Sequence, residues 1–234
     1  MKIQNILNLI KRYFIESGKK DIHSFLLIVL IIAFVSFLSV SGSISGSMMC
    51  FLLLLMGIIY AGRIFGIFQT AGKTIHYLTI PASTAEKTIA NGLLVFIYYN
   101  ILLIVSLLLG NIIGGVAHKL LDSSYTYQFS MPFDFDDLLL LLLMESVYMF
   151  GSICFKNHAV IKTSLVIISV FLFFIILGTF IIGQQFNYYG EKSFELSEEF
   201  FNSINFELIE YCLSAFLFIF FNFMTWLRLR KTEA

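Results

Sequence analysis

The sequence has little charge for its length. Charged residues occupy 13% of its 234 positions, about half of the roughly 25% that soluble domains carry. Hydrophobic residues make up 59%, and the mean hydropathy is +0.89. This composition excludes an ordinary soluble domain and indicates a polytopic membrane protein. The formal net charge of zero averages over two faces of such a protein, so it does not by itself identify a partner.

Cysteine and histidine are also scarce, and neither residue type has the spacing of a metal site or a catalytic site. Cys50, Cys154 and Cys212 lie in apolar runs without CxxC spacing, so they are interpreted as small buried hydrophobic residues. The four histidines lie at span ends or in loops, and none has HExxH spacing. No serine inside a span has a histidine partner. We therefore predict no metal site, no catalytic residue and no enzymatic activity in this chain.

A phosphate-binding loop is excluded by spacing. Five residues separate Gly66 from Gly72 in GIFQTAGKT, where the P-loop has four, and no buried strand precedes them. ATP, if the protein uses it, must be bound by another subunit. We predict no cofactor in this chain and no nucleic-acid partner.

Long apolar runs dominate what remains. A spanning helix needs about 20 mostly apolar residues, and six candidate spans can be found. The prediction is a single all-α transmembrane domain over residues 1–234, without a cleavable signal peptide. The candidate spans are residues 24–40, 47–62, 88–117, 137–155, 163–183 and 208–227.

Two amphipathic segments flank these spans. Residues 2–15 place Ile3, Ile6, Leu7, Ile10 and Phe14 on one helical stripe, which favours a helix lying in the membrane interface. A packed cytosolic helix is the alternative. Residues 184–207 mix phenylalanines with acids and predict one or two short outer helices over the mouth of the bundle, either as a gate or as a passive connector.

The distribution of basic residues predicts the orientation. Thirteen of the fifteen lysines and arginines lie in the amino-terminal segment, the 63–87 and 156–162 loops and the tail. Only Lys119 and Lys192 lie on the opposite side. Since cytoplasmic loops are enriched in Lys and Arg, both termini are predicted to be cytoplasmic.

The loop of residues 63–87 is the longest polar interruption in the first half of the chain. Its apolar residues follow helical spacing until Gly72, which predicts a short amphipathic helix and then a turn. Pro81 favours an extended bend. Ser83 and Glu86 have the S-x-x-E spacing of a capping box, which predicts the start of the next helix.

Few polar residues interrupt the spans. Glu145 lies near the middle of the fourth span, where a charge costs about 2.5–3.5 kcal/mol on insertion scales. It should face the bundle and be protonated or hydrogen-bonded, either in a substrate or proton pathway or as a structural contact. Asn100 is a milder candidate for the same path. Three glycine pairs have GxxxG spacing, which permits close helix approach but is frequent by chance in membrane sequences. They are Gly42 with Gly46, Gly62 with Gly66, and Gly110 with Gly114.

The segment HYLTIPASTAEKTIANGLL, residues 76–94, resembles a signature "YL.LPAS..EK" of Bacteroidetes-type permeases. These are membrane subunits of ATP-binding-cassette transporters of the type-2 export class. Ile80 stands where that signature has leucine. The matching residues are Tyr77, Leu78, Pro81, Ala82, Ser83, Glu86 and Lys87.

The resemblance implies a function and a set of partners. Residues 63–87 would form a coupling helix docked on a separate ATPase subunit that binds ATP and Mg. A second copy of this chain, or a related permease, would complete an exporter in the bacterial inner membrane, surrounded by lipid. The ATPase contacts would be Arg63, Phe65, Phe68, Lys73, His76 and Tyr77, and the loop geometry would depend on Pro81, Ser83, Glu86 and Lys87.

Two other functions remain open from the sequence. A membrane scaffold, sensor or immunity protein of similar topology could use the same loop to bind a partner without transporting anything. A secondary transporter could instead couple to protons through Glu145.

Overall fold

A computed structural model describes residues 2–38, 46–66, 77, 79–121, 135–155, 157–189 and 206–233. Every regular element in these ranges is helical. Six long helices follow one another along the chain: α1 (Ile3–Leu38), α2 (Gly46–Arg63), α3 (Thr84–Leu121), α4 (Phe135–Cys154), α5 (Ala159–Tyr189) and α6 (Phe206–Glu233). The predicted all-α class is confirmed for the described residues.

The helices have the length and composition that a multi-pass membrane protein requires. Five of them are long and apolar enough to cross a membrane, and the described part of α2 contributes a shorter apolar helix, Cys50–Arg63. In α5 only 6% of the most apolar window is buried, against 44% in α4. The central helix of the bundle is therefore α4, and α5 presents apolar side chains outward, among them that of Phe171. Cys212 of α6 is also exposed rather than buried.

The amino-terminal segment differs from the prediction. An interfacial helix and a separate span were expected, whereas α1 is one helix of 36 residues. No proline interrupts residues 16–23, and the single Gly18 costs only about 1 kcal/mol in a helix interior. At 1.5 Å per residue α1 is about 54 Å long, so it exceeds a hydrocarbon core of about 30 Å. The apolar stripe predicted for residues 2–15 does not lie on one buried face either, because Ile6 is buried while Leu7 is exposed.

Helices α1 and α3 run parallel, side by side. Lys2 contacts Glu86 at one end of the pair, and Ser36 donates a 2.9 Å hydrogen bond to Asn111 Oδ1 near the other. A Cβ added at Gly114 would lie 2.5 Å from the Ala33 carbonyl oxygen. The close approach that the spacing of Gly110 and Gly114 permits is therefore present in this pair of helices.

A second packing layer forms around α4. The buried core combines side chains of α2, α3, α4 and α6 with residues of the segment that follows α2. Gly62 of α2 is in close contact with Val160, and Gly151 of α4 is in close contact with Thr163. Both contacts bring the start of α5 against the bundle. The fully or nearly fully buried centre consists of Ala61, Phe65, Val95, Met149 and Leu229.

Several predicted features lie outside the described residues. These are most of the coupling helix expected within residues 63–87 and most of the outer segment expected at 184–207, of which α5 includes residues 184–189. The signature residue Leu78 also lies outside.

Candidate functional site

The predicted capping box is present at the start of α3. Ser83 Oγ accepts a hydrogen bond from the Glu86 backbone N–H at 3.3 Å, and Glu86 Oε2 accepts one from the Ser83 N–H at 2.9 Å. Pro81 and Ser83 are exposed in the turn before the helix. The four-residue pattern read from the sequence thus fixes the entry into α3.

Glu86 has a second role that the sequence does not reveal. Its Oε1 accepts a 2.6 Å hydrogen bond from the Lys2 backbone N–H, and its Oε2 accepts one of 3.0 Å from Asn5 Nδ2. These bonds attach the first turn of α1 to the first turn of α3. Glu86 precedes the predicted third span, and the donors from Lys2, Asn5 and Ser83 lower its pKa from 4.5 to about 2.

The residues predicted to contact an ATPase divide into three groups. Arg63 ends α2 with an exposed side chain. Phe65 and Tyr77 are buried, with relative exposures of 1% and 8%, so in this structure neither is available to a partner surface. Their aromatic rings pack into the core because the inward side of this segment lies against α3 and α4. The other three predicted contacts, Phe68, Lys73 and His76, lie outside the described residues.

A buried carboxyl in α1 was missed by the sequence analysis. Asp21 is 6% exposed, and its carboxylate accepts hydrogen bonds from the hydroxyls of Tyr13, at 3.1 Å to Oδ2, and of Tyr98, at 3.4 Å. Tyr13 is also hydrogen-bonded to the hydroxyl of Tyr99. The ring of Tyr99 stacks on that of Tyr60, with centroids 4.2 Å apart. Asp21 is therefore the centre of a tyrosine cluster joining α1, α2 and α3.

This cluster borders a cavity of about 580 Å³. The cavity lies between the first halves of α1 and α3 and the end of α2. Two residues of the predicted loop, Tyr77 and Lys87, line it. Lys87 is 1% exposed, and the Tyr77 hydroxyl accepts a hydrogen bond from Asn91 Nδ2 at 2.9 Å. Lys87 Nζ lies 5.4 Å from the centre of the Tyr77 ring. The charged lining residues are Arg12, Glu16, Lys20, Asp21, Arg63 and Lys87.

A second buried carboxyl lies deeper in the bundle. Glu145 is completely buried, as predicted, and its Oε2 accepts a 3.0 Å hydrogen bond from Asn100 Nδ2. Within the described part of the chain, no donor reaches Glu145 Oε1 or Asn100 Oδ1. A Cβ on Gly57 would lie 2.8 Å from Glu145 Oε1. Gly57 of α2 therefore provides the space for the Glu145 carboxyl, and no local pattern in the sequence indicates that these two residues meet.

A π-helical segment of α3, Leu94–Tyr99, carries or adjoins residues that bond both buried carboxyls, those of Asp21 and Glu145. Tyr98 and Tyr99, its last two residues, belong to the Asp21 cluster, and the next residue, Asn100, bonds Glu145. Asn100 Nδ2 also donates to the Phe96 carbonyl at 3.1 Å, which stabilises the widened turn. Segments of π-helix often occur at functional sites. Here, a change in this turn would move the hydrogen-bond partners of both acids together.

The described residues contain no group of three or more His, Cys, Asp or Glu placed to hold a metal ion.

The chain was also compared with known proteins. No family model, curated protein or solved structure matches it. The likeness to type-2 permeases therefore stays a prediction from the sequence, and the function has to be argued from the arrangement described above.

Proposed function

We propose that this chain is the membrane subunit of an ATP-driven transporter of the type-2 export class, located in the bacterial cytoplasmic membrane. The observation that carries the proposal is that one short segment joins α2 to α3 at a helix start that also holds the first turn of α1. Residues 63–83 leave α2 at Arg63 and enter α3 at the capping box, and Glu86 of that box holds the first turn of α1.

This attachment suits a coupling element. A separate ATPase subunit docked on residues 63–83 would displace the ends of α1, α2 and α3 together when ATP closes the ATPase dimer. ATP and Mg would be bound by that subunit. A second copy of this chain or a related permease would provide the other half of the path. Arg63 is the exposed cation through which the described part of the segment would contact the ATPase.

The test is purification of the tagged chain from its native membrane, with identification of co-purifying proteins. We expect an ATPase with a Walker A motif in a 2:2 ratio. The double variant Arg63→Glu/Lys73→Glu should lose this ATPase, and Lys162→Glu, an exposed cation in the start of α5, should retain it. Absence of any ATPase, or equal recovery of the ATPase with the double variant and with Lys162→Glu, would refute the proposal. A scaffold, sensor or immunity protein would then be the better assignment.

One observation favours a second candidate, transport driven by protons. Glu145 is buried with one carboxyl oxygen that no described residue bonds. Intramembrane carboxyls often mark proton or substrate pathways. Under this alternative Glu145→Gln abolishes uptake or efflux in vesicles energised by a proton gradient while the protein still assembles. Unimpaired transport and assembly of Glu145→Gln would remove this candidate.

A further inference from the structure

Glu145 and Asn100 meet inside the bundle, and no cation balances the acid. Glu145 of α4 is 0% exposed and Asn100 of α3 is 9% exposed. Among the described residues, no lysine, arginine or histidine lies within ion-pair distance of the Glu145 carboxyl. The only donor that reaches this carboxyl from those residues is Asn100 Nδ2. A buried carboxylate is costly unless an opposite charge or several hydrogen bonds compensate it, so the ionised form is poorly supported here.

The hydrogen bonds of Asn100 fix the orientation of its amide group. Nδ2 donates both of its hydrogens, one to Glu145 Oε2 at 3.0 Å and one to the Phe96 carbonyl oxygen at 3.1 Å. Turning the amide over would place Oδ1 against those two acceptors. Oδ1 therefore keeps its assigned position, where it needs a donor of its own.

Two oxygens remain, and both can only accept while the acid is ionised. Within the described part of the chain, nothing donates to Asn100 Oδ1 or to Glu145 Oε1. A neutral carboxylic acid has one O–H donor. A proton on Oε1 turns one of the two unpaired acceptors into a donor for the other. A single proton therefore satisfies both oxygens, while the Asn100 N–H continues to donate to Oε2.

Other occupants suit the site less well. Calcium and magnesium take about six or more oxygen ligands, whereas two oxygens are unpaired here. A Cβ on Gly57 of α2 would lie 2.8 Å from Glu145 Oε1 and 2.9 Å from Leu141 Cδ1. On the side of Oε1 that faces α2 there is thus no space for a methyl group, and a water molecule needs comparable space.

We infer that Glu145 holds a resident proton, which Oε1 donates to Asn100 Oδ1, so that the two side chains form a neutral acid–amide pair joining α3 to α4. The proton is the ligand of this site, and it is bound whether or not the chain transports anything. The inference goes beyond the proton-driven alternative, which requires the proton to leave. It is also independent of the ATPase proposal, because it uses only residues of this chain.

The first test is infrared difference spectroscopy on the full chain in an uncharged detergent at neutral pH. Subtracting the spectrum of Glu145→Gln from that of the wild type isolates the Glu145 carboxyl. We expect the C=O stretch of a protonated carboxylic acid and no carboxylate stretch. Glu16→Gln is the control, because Glu16 is paired with Arg12 at 2.6 Å and should contribute carboxylate bands. Carboxylate bands from Glu145 would overturn the proposal. Bands that change when sodium replaces an organic cation in the buffer would indicate a cation site, and bands that do not change would indicate a bridging water.

The second test asks whether the pair bonds in both directions. In Glu145→Gln the new amide N–H replaces the O–H of the acid and the amide oxygen still accepts from Asn100, so the unfolding equilibrium in SDS should stay within about twofold of wild type. Glu145→Leu leaves Asn100 Oδ1 and one Nδ2 hydrogen unpaired, and should shift that equilibrium at least about tenfold towards the unfolded state. Equal losses in the two variants would mean that position 145 needs a charge, which would overturn the proposal. The infrared test does not require the leucine variant, so the proposal remains testable if that variant does not fold.

Discussion

Gly114 provides the sharpest test of how α1 and α3 pack. In Gly114→Ala the new Cβ would lie 2.5 Å from the Ala33 carbonyl oxygen and 2.6 Å from Ser36 Cβ. A backbone oxygen cannot rotate away, so the helices must separate. Separation also stretches the 2.9 Å bond from Ser36 to Asn111. Gly178 of α5 has no atom within 4 Å of the equivalent Cβ, which makes Gly178→Ala the matched control.

The magnitudes follow from these contacts. Overpacking costs about 1–3 kcal/mol, and a hydrogen bond between membrane helices is worth about 0.6 kcal/mol. Replacing a helical glycine by alanine returns about 0.5–1 kcal/mol. We therefore expect Gly114→Ala to lose about 0.5–3 kcal/mol, a change of roughly two- to 150-fold in the unfolding equilibrium. Gly178→Ala should lose nothing.

The assay is unfolding in mixed micelles at increasing SDS mole fraction, with protease resistance reporting the folded fraction. If Gly114→Ala unfolds at the same SDS fraction as Gly178→Ala, the parallel pair does not pack through these glycines.

Three further predictions concern single side chains. Because the pKa of Glu86 is lowered to about 2, its stabilising effect is complete above pH 4.5 and is lost as the pH falls towards 2. The stability gap between wild type and Glu86→Gln, measured by melting temperature, should therefore shrink below pH 4.5. Thr163 Oγ1 is buried without a partner among the described residues, so Thr163→Val should raise stability by about 1 kcal/mol in SDS unfolding. Ser164→Ala, which removes a 2.6 Å bond to Tyr148, should lower it. Phe65→Ala should cost about 3–5 kcal/mol in the same assay because it empties the core.

Each of these has a contradicting result. If the difference in melting temperature between wild type and Glu86→Gln stays constant from pH 7 to pH 3, the Glu86 carboxylate does not form the stabilising hydrogen bonds described above. If the Thr163→Val protein is less stable than the Ser164→Ala protein, the Thr163 hydroxyl has a hydrogen-bond partner. If the Phe65→Ala protein keeps full stability but no longer binds the ATPase, Phe65 belongs to the docking surface, as predicted from the sequence.

The sequence predicted the features that depend on neighbouring residues. The capping box needs only Ser83 and Glu86, three positions apart, and the apolar helices need only composition over about 20 residues. The close packing at Gly114 follows from small-residue spacing. Each of these signals is local, and so it can be read from one segment at a time.

The features that were missed depend on distant partners. The burial of Asp21 requires Tyr98, which lies 77 positions later, and nothing near Asp21 indicates that tyrosine. The same limit explains Phe65, because helical periodicity shows that a segment has an apolar side but not whether that side faces the core or another protein. The continuity of α1 was missed because the charged residues Lys19 to Asp21 separate the amphipathic segment from the first apolar run, and such a change in composition can occur within one helix.

The parallel pairing of α1 with α3 has a consequence for biogenesis. Ser36 of α1 is fully buried, and its bond to Asn111 joins residues 75 positions apart. During synthesis α1 therefore leaves the ribosome well before Asn111 exists. Until α3 has been made, the Ser36 hydroxyl can donate only within its own helix, to the carbonyl one turn earlier. The bond across the pair consequently forms late in assembly, after α3 has been placed beside α1.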